Sequence, residues 1–376
     1  MKKNKKLLIG IGIVALLGIV LIGVLRSYTS PHDGSLIRIA CNLPLTGDIS
    51  IYGESVRNGY TLALEDYAEK FGHNNIKVKI DYEDNRGEQR WTTSVLQHQQ
   101  LSGFDVYVSG VTQQTLAIKP RVDKLGCPHF IWSFYPLVLS EGENLFRTWL
   151  DHEPTLFKKY VESRKDVHRV ACVYLNAASG QELFNKYFIP LINERYEIVY
   201  NEAFDIEQPD FKTIVAKIKK ATPDMIFVNG FEGHIIELAK EFALSGLKQD
   251  GNIVFTFDLL DAMRKLDDNI LNGYVTVIPN CIASPSNRLL KWSKRFEDTF
   301  GRSPNYTDIY AYDGFSMLAE AILNRKANES LFDALHKTKL SGLTGELSFN
   351  SAGKMNSNSG VYIVRDGGFV PVFNED

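Results

Sequence analysis

Short apolar runs in this chain repeatedly end on small polar residues with an aromatic ring close by. LIRIACNL empties into PLTGDISIYG, which carries Thr46 and Tyr52, and VYVSG is followed by VTQQT, which carries Thr112. PHFIWS ends at Ser133 with Tyr135 two residues on, CVYL leads into NAASGQ with Ser179, MIFVNG into Phe231 and Glu232, and NIVFTF into Asp258. Hydroxyl, amide and carboxylate groups interleaved with rings suit the capture of a small polar solute, held by hydrogen bonds and stacked against aromatic faces. Ser, Asn and Gly also favour turns, which accounts for part of the pattern but less well for the rings. Asp258 has a second reading as the N-cap of a helix beginning at LLDAM.

Groups that could catalyse are scattered. The chain has no G-x-x-x-x-G-K-[ST] phosphate loop, no G-x-G-x-x-G after the first strand, no G-x-S-x-G elbow and no H-E-x-x-H pair. His234 follows Glu232 at a strand exit and reads as a solvated loop residue before it reads as a base. His152, between Asp151 and Glu153, reads as part of a polar linker, and Asp81, Glu83 and Asp84 read as a solvated acidic turn. Cys41, Cys127, Cys172 and Cys281 are far apart, carry no CxxC or zinc spacing, and read as buried free thiols. No cofactor and no metal is expected, and the enzyme alternative, a two-domain hydrolase or transferase using Asp81–Asp84 or His234, is the weakest reading.

The elements that must position these residues alternate. After the first strand, Val56, Tyr60, Leu64, Tyr67 and Phe71 recur at three- and four-residue spacing and make one apolar helix face. The strand IKVKIDYED, a helix around RWTTSVLQHQQL, the strand FDVYVSG, a further helix and the strand PHFIWS complete a βαβαβ series. The series restarts after LFRTWLDHEP with VHRVACVYL, YEIVYNEAF, DMIFVNG and NIVFTFD separated by helices. Such alternation predicts two α/β, doubly wound, Rossmann-like parallel-sheet domains. The last third holds three helical stretches without intervening strands, so it is expected to pack back onto the existing sheets.

At 376 residues with 44% hydrophobic and 23% charged residues, the chain has the composition of a two-domain globular protein. Its start differs: KKNKK precedes an apolar stretch from Leu7 to Leu25, which as a helix spans about 28 Å, close to a bilayer core. Residues 1–26 therefore read as an uncleaved transmembrane anchor in preference to a cleaved signal, with the globular part outside the cell membrane. Removing Lys2, Lys3, Lys5, Lys6 and Arg26 from the formal charge of −3 leaves −8 for residues 27–376, which argues against nucleic acid as a partner.

The segment IRIACNLPLTGDISIYGESVRNGYTLALEDY resembles the opening of the type I periplasmic binding proteins of the leucine/isoleucine/valine-binding group, in which the first strand ends in a P-[LMF]-[ST]-G turn. DFKTIVAKIKKATPDMIFVNGF, YDGFSMLAEAI and LTGELSFNSAG resemble later family segments in the same order. The resemblance implies two domains joined by three hinge crossovers, near Arg147–Pro154, Ile278–Ser284 and Leu340–Gly345. This divides the chain into residues 36–150 plus 280–340 and residues 151–279 plus 341–376. It implies a monomer that captures an amino acid or similar solute, without catalysis, for an ABC transporter permease. The alternative is that it informs a membrane sensor protein such as a receptor kinase or chemoreceptor. Carried over residue by residue, Thr112, Ser133 and Tyr135 fall where the family holds an α-carboxylate. Asp258 falls where it holds an α-ammonium, Phe231 and Tyr52 where rings flank the ligand, and Ser179 where a tyrosine is usual nearby but missing. GVTQQT replaces the usual serine-rich loop, and Trp132, expected at the cleft, should report closure.

Overall fold

The computed structural model describes residues 36–133, 144–150, 153–356 and 358–373, apart from the side chains of residues 178 and 179. The anchor expected at residues 1–26 lies outside them. Among the described residues no helix is long and apolar enough to cross a membrane.

Two sheets organise the chain. The first is wholly parallel, in the order β2-β1-β3-β4-β5, from β1 (Leu36–Leu43), β2 (Lys77–Asp84), β3 (Val106–Gly110), β4 (His129–Trp132) and β5 (Leu145–Arg147). Helices α1 (Ser50–His73), α2 (Gln89–Ser102) and α3 (Thr112–Val122) connect its early strands. Strand β5 has only three residues and ends at Arg147, where the sequence places the start of the first crossover.

The second sheet runs β14-β13-β10-β9-β8-β6-β7. Its parallel strands are β6 (Arg169–Leu175), β7 (Glu197–Phe204), β8 (Met225–Val228), β9 (Ile253–Phe255) and β10 (Val275–Pro279). Helix α4 (Pro154–Ser163) precedes β6, α5 (Lys212–Ala221) and α6 (Glu232–Ser245) flank β8, and the single turn α7 (Leu259–Ala262) follows β9. The last two strands, β13 (Ser359–Arg365) and β14 (Gly368–Pro371), pair antiparallel and form one edge. The expectation of purely parallel sheets is corrected there: RDGG allows a tight reversal, with Asp366 and Gly367 at positive φ, and a hairpin needs no crossover helix.

The helical last third covers the first sheet. Helices α8 (Asn287–Phe300), α9 (Tyr306–Asn324) and α10 (Leu331–Lys337) contribute Trp292, Phe315 and Leu335 to one core with Ile39, Tyr60 and Phe130. Helix α9 buries 16 of its 19 residues because it packs along α1 and into the core of the first sheet. At the crossing Gly59 leaves room for the backbone of α9, where a Cβ would stand 2.5 Å from the Asp308 carbonyl. Of the predicted apolar face of α1, Val56, Tyr60, Tyr67 and Phe71 are buried and Leu64 is half-buried.

The first unit continues past the break expected at residue 340. The ribbon of β11 (Lys339–Ser341) and β12 (Glu346–Ser348) is tied to α9 by Asp313, which is buried and accepts from the backbone of Leu343 and Thr344 at 2.8 and 2.9 Å. Leu347, Phe349 and Met355 belong to the first core, and residue 354 bridges to Arg147 beside β5. The third crossing therefore falls between Met355 and Ser359, where Asn280 of the second crossing donates its backbone N–H to the Asn358 carbonyl at 2.8 Å.

Candidate functional site

The exits of the strands converge between the two sheets. A cavity of about 500 Å³, counting its open mouth, is lined from the first unit by Ile49, Tyr52, Val111, Thr112, Gln113, Trp149 and Tyr306, and from the second by Ala177, Phe231, Phe257 and Asp258.

Tyr52 arrives from the first turn of α1, which explains the loop before it. The β1 exit turns sharply at PLTG because Asp84 gathers it: its carboxylate accepts from the backbone of Leu45 at 2.8 Å and from the Thr46 hydroxyl at 2.6 Å. Burial opposes ionisation there, yet the bonds from Thr46, Arg86 and Leu45 hold the Asp84 carboxyl below the ordinary carboxylate range. Asp84 is thus a structural clamp, whereas Asp81 and Glu83 make exposed pairs with Lys79 and His98. Gly53 then lets α1 start against the strand end, since a Cβ would meet the Pro44 carbonyl oxygen at 2.0 Å.

Thr112 opens α3. No side chain caps this helix, so its first backbone N–H groups, next to Val111, Thr112 and Gln113 of the cavity wall, are available to an anion. The Thr112 hydroxyl lies 3.0 Å from that of Ser133, and both residues are buried. Ser133 stands behind Thr112 instead of on the cavity wall. Beneath them Ser109 Oγ contacts His129 Nε2 at 2.8 Å and Thr115 Oγ1 at 2.9 Å. Burial, with help from Lys119, pushes the His129 imidazole down to about 3, so it is neutral.

On the opposite wall Asp258 is 4% exposed. It precedes α7 but makes no capping bond; its Oδ2 instead accepts from Asn229 Nδ2 at 3.0 Å and from the Thr256 hydroxyl. Burial pushes the Asp258 carboxyl up to about 7, with the neighbouring Asp261 charge adding to the rise and the Thr256 and Asn229 bonds opposing it. Asp261, raised to about 6 mainly by burial, accepts from the Tyr306 hydroxyl at 3.0 Å. Such a carboxyl is readily ionised by a cation brought beside it.

Rings make up much of the remaining wall. Tyr52 and Trp149 stand 5.5 Å apart between centroids, Trp149 stacks near Tyr306 at 6.4 Å, and Tyr306 meets Phe257 edge-on at 5.5 Å. Phe231 is held by His234, whose Nδ1 accepts from the Phe231 backbone N–H at 3.2 Å while Nε2 donates to the Ile206 carbonyl at 2.9 Å. His234 is therefore a neutral, half-buried cap of α6, in place of the solvated loop residue expected.

Of the residues anticipated from sequence, Tyr52, Thr112, Phe231 and Asp258 share the cavity. Tyr135 lies outside the described residues, as does the side chain of Ser179. His152 and Asp151 lie outside them as well. Trp132 is buried against Trp149 at 6.2 Å and does not line the cavity, so Trp149 replaces it as the reporter of closure. Trp149, Tyr306, Phe257 and Gln113 are additions of the structure. All four cysteines are free, as the sequence indicated, although Cys127 and Cys281 are only partly buried. Among the described residues no group of three or more His, Cys, Asp or Glu side chains is placed to hold a metal.

Comparison with known proteins bears on this arrangement. A family model described as periplasmic binding protein matches residues 36–368. The chain is 24% identical over 340 residues to Leu/Ile/Val-binding protein homolog 2 of Brucella abortus, covering 84% of this chain and 87% of that one. Among solved structures it resembles the Streptococcus pneumoniae branched-chain amino acid transporter substrate binding protein LivJ in complex with isoleucine. The TM-score is 0.76 at 19% identity, over 89% of this chain and 97% of that one. A solute binding protein of an ABC transporter from Rhodopseudomonas palustris, in complex with 3,4-dihydroxybenzoic acid, gives a TM-score of 0.77 at 20% identity, over 90% and 96% of the two chains.

Proposed function

Because the chain belongs to the periplasmic binding protein family, a family of non-enzymatic solute binders, we propose that it captures a small zwitterion, an amino acid or a related compound, between its two units for delivery to an ABC importer. The observation that carries this reading is the pairing of opposite polarities across one cavity: the uncapped start of α3 on one wall and the buried Asp258 carboxyl on the other. The first attracts a carboxylate through free N–H groups and the helix dipole. The second attracts an ammonium. The globular part works outside the cytoplasm, and residues 1–26 keep it at the membrane. Closure on the solute shifts an equilibrium between open and closed forms, and the permease receives the closed one.

Purified full-length protein should gain thermal stability and change its tryptophan fluorescence with a member of an amino-acid, amide and small-carboxylate panel. Ligand at about 100 times Kd adds about 2.7 kcal/mol to stability, a shift of several degrees. Asp258→Ala should abolish that shift while leaving the unliganded protein folded. A panel without a single saturable response, or an undiminished response in the variant, would count against solute capture at this cavity.

A further inference from the structure

The charge on the cavity is one-sided. Asp258 is the ionisable acid on its described wall, and no lysine, arginine or histidine stands among the lining residues. Two further acids act from behind: Asp261, bonded to the Tyr306 hydroxyl, and Glu232 in the first turn of α6; both, with Asp258, oppose ionisation of the buried Tyr52 hydroxyl. The nearest cations are committed elsewhere. Lys265 pairs with Glu232 at 3.1 Å, and Arg264 donates to the Pro304 carbonyl at 2.7 Å.

Acceptors for N–H donors are spread thinly over a lining made mostly of rings and aliphatic carbon. A primary ammonium needs three, whereas Asp258 Oδ2 already accepts from Asn229 and Thr256, which leaves Oδ1 and hydroxyl oxygens such as that of Tyr306, whose proton goes to Asp261. What shares the cavity with the acid instead is a set of rings, with Tyr52, Trp149, Tyr306 and Phe257 linked ring to ring and Phe231 on the second unit's wall. Ring faces attract a cation without accepting directed hydrogen bonds, and a nitrogen wrapped in methyl groups presents apolar surface to them while keeping its charge. A solute carrying a carboxylate alone would meet the start of α3 but bring no cation to Asp258.

Resting on the solute-capture reading, we propose that the preferred substrate class is the N-methylated ammonium compounds, above all betaine-like zwitterions whose carboxylate meets the start of α3. Titration calorimetry of the full-length protein with glycine, N-methylglycine, N,N-dimethylglycine and glycine betaine tests this directly. Affinity is expected to rise at least about ten-fold along the series, to fall about ten-fold in Asp258→Asn and in Tyr52→Leu, and to survive in Tyr52→Phe, which keeps the ring. Affinity that falls or stays level with methylation, or leucine, isoleucine or benzoate binding more tightly than betaine, overturns the inference and leaves solute capture standing. Binding of neither these compounds nor the wider panel removes both. Circular dichroism of the three variants ensures that lost binding is not lost fold.

Discussion

At the scale of single residues, Asp258 dominates. Its folded carboxyl titrates near 7 against an ordinary value of 3.8, with burial as the first cause. A carboxyl raised in this way binds its proton more tightly folded than unfolded, so its contribution to stability is present below the unfolded value and is lost as pH rises through the folded one. Asp261, raised mainly by burial, acts in the same direction, while its hydrogen bond from Tyr306 and the charge of Arg264 work against it. The melting temperature of the unliganded protein should therefore decline between about pH 4 and pH 7, and Asp258→Asn should flatten that decline; a variant profile parallel to the native one would refute the assignment. A bound cation reverses the preference, because it favours the ionised acid. Binding should then release a proton and strengthen from about pH 5 to pH 8, a dependence that calorimetry in two buffers of different ionisation enthalpy will detect.

At the scale of elements, both units set a helix hard against the end of the strand before it, α1 after β1 and the helical segment Ala178–Gln181 after β6. Gly53 faces the Pro44 carbonyl, and Gly180 has the Leu175 carbonyl oxygen 2.4 Å from where a Cβ would be. Gly53→Ala should push α1 away from the β1 exit, cost about 1–3 kcal/mol by urea unfolding, and weaken solute binding through the displaced Tyr52. Unaltered unfolding would mean that Pro44 yields. The cavity residues legible in the sequence, Tyr52, Thr112, Phe231 and Asp258, follow apolar runs at strand exits, where chain order alone locates them. Trp149 and Tyr306 were not legible. One sits in the first crossover just after β5, the other at the first position of α9, and neither position has a periodicity that announces a cavity. They reach Asp258 only because α9 returns to the first sheet and the two units close. The same non-local packing hid β5, whose three residues are too few for an alternating pattern, and carried the first unit past residue 340 through Asp313.

At the scale of the molecule, direct bonds between described residues cross the cleft beside the cavity. Arg264 and Asp261 of the second unit reach the Pro304 carbonyl and the Tyr306 hydroxyl of the first. Arg264 is exposed, so its bond contributes modestly. Arg264→Ala should favour the open form by about 0.5–1.5 kcal/mol, weakening solute affinity about 2- to 10-fold and enlarging the radius of gyration of the unliganded protein in X-ray scattering. No change in either quantity would show that closure is governed elsewhere. The order in which the chain builds its two units has a consequence for biosynthesis. Strands β6 to β10 are complete once residue 279 has been made, whereas the first sheet, begun at residue 36, waits for α9 and α10 to cover it. The unit begun first is thus still uncovered when those five strands are complete, and a nascent chain must keep the apolar surface of β1 and α1 from aggregating until α9 and α10 have emerged.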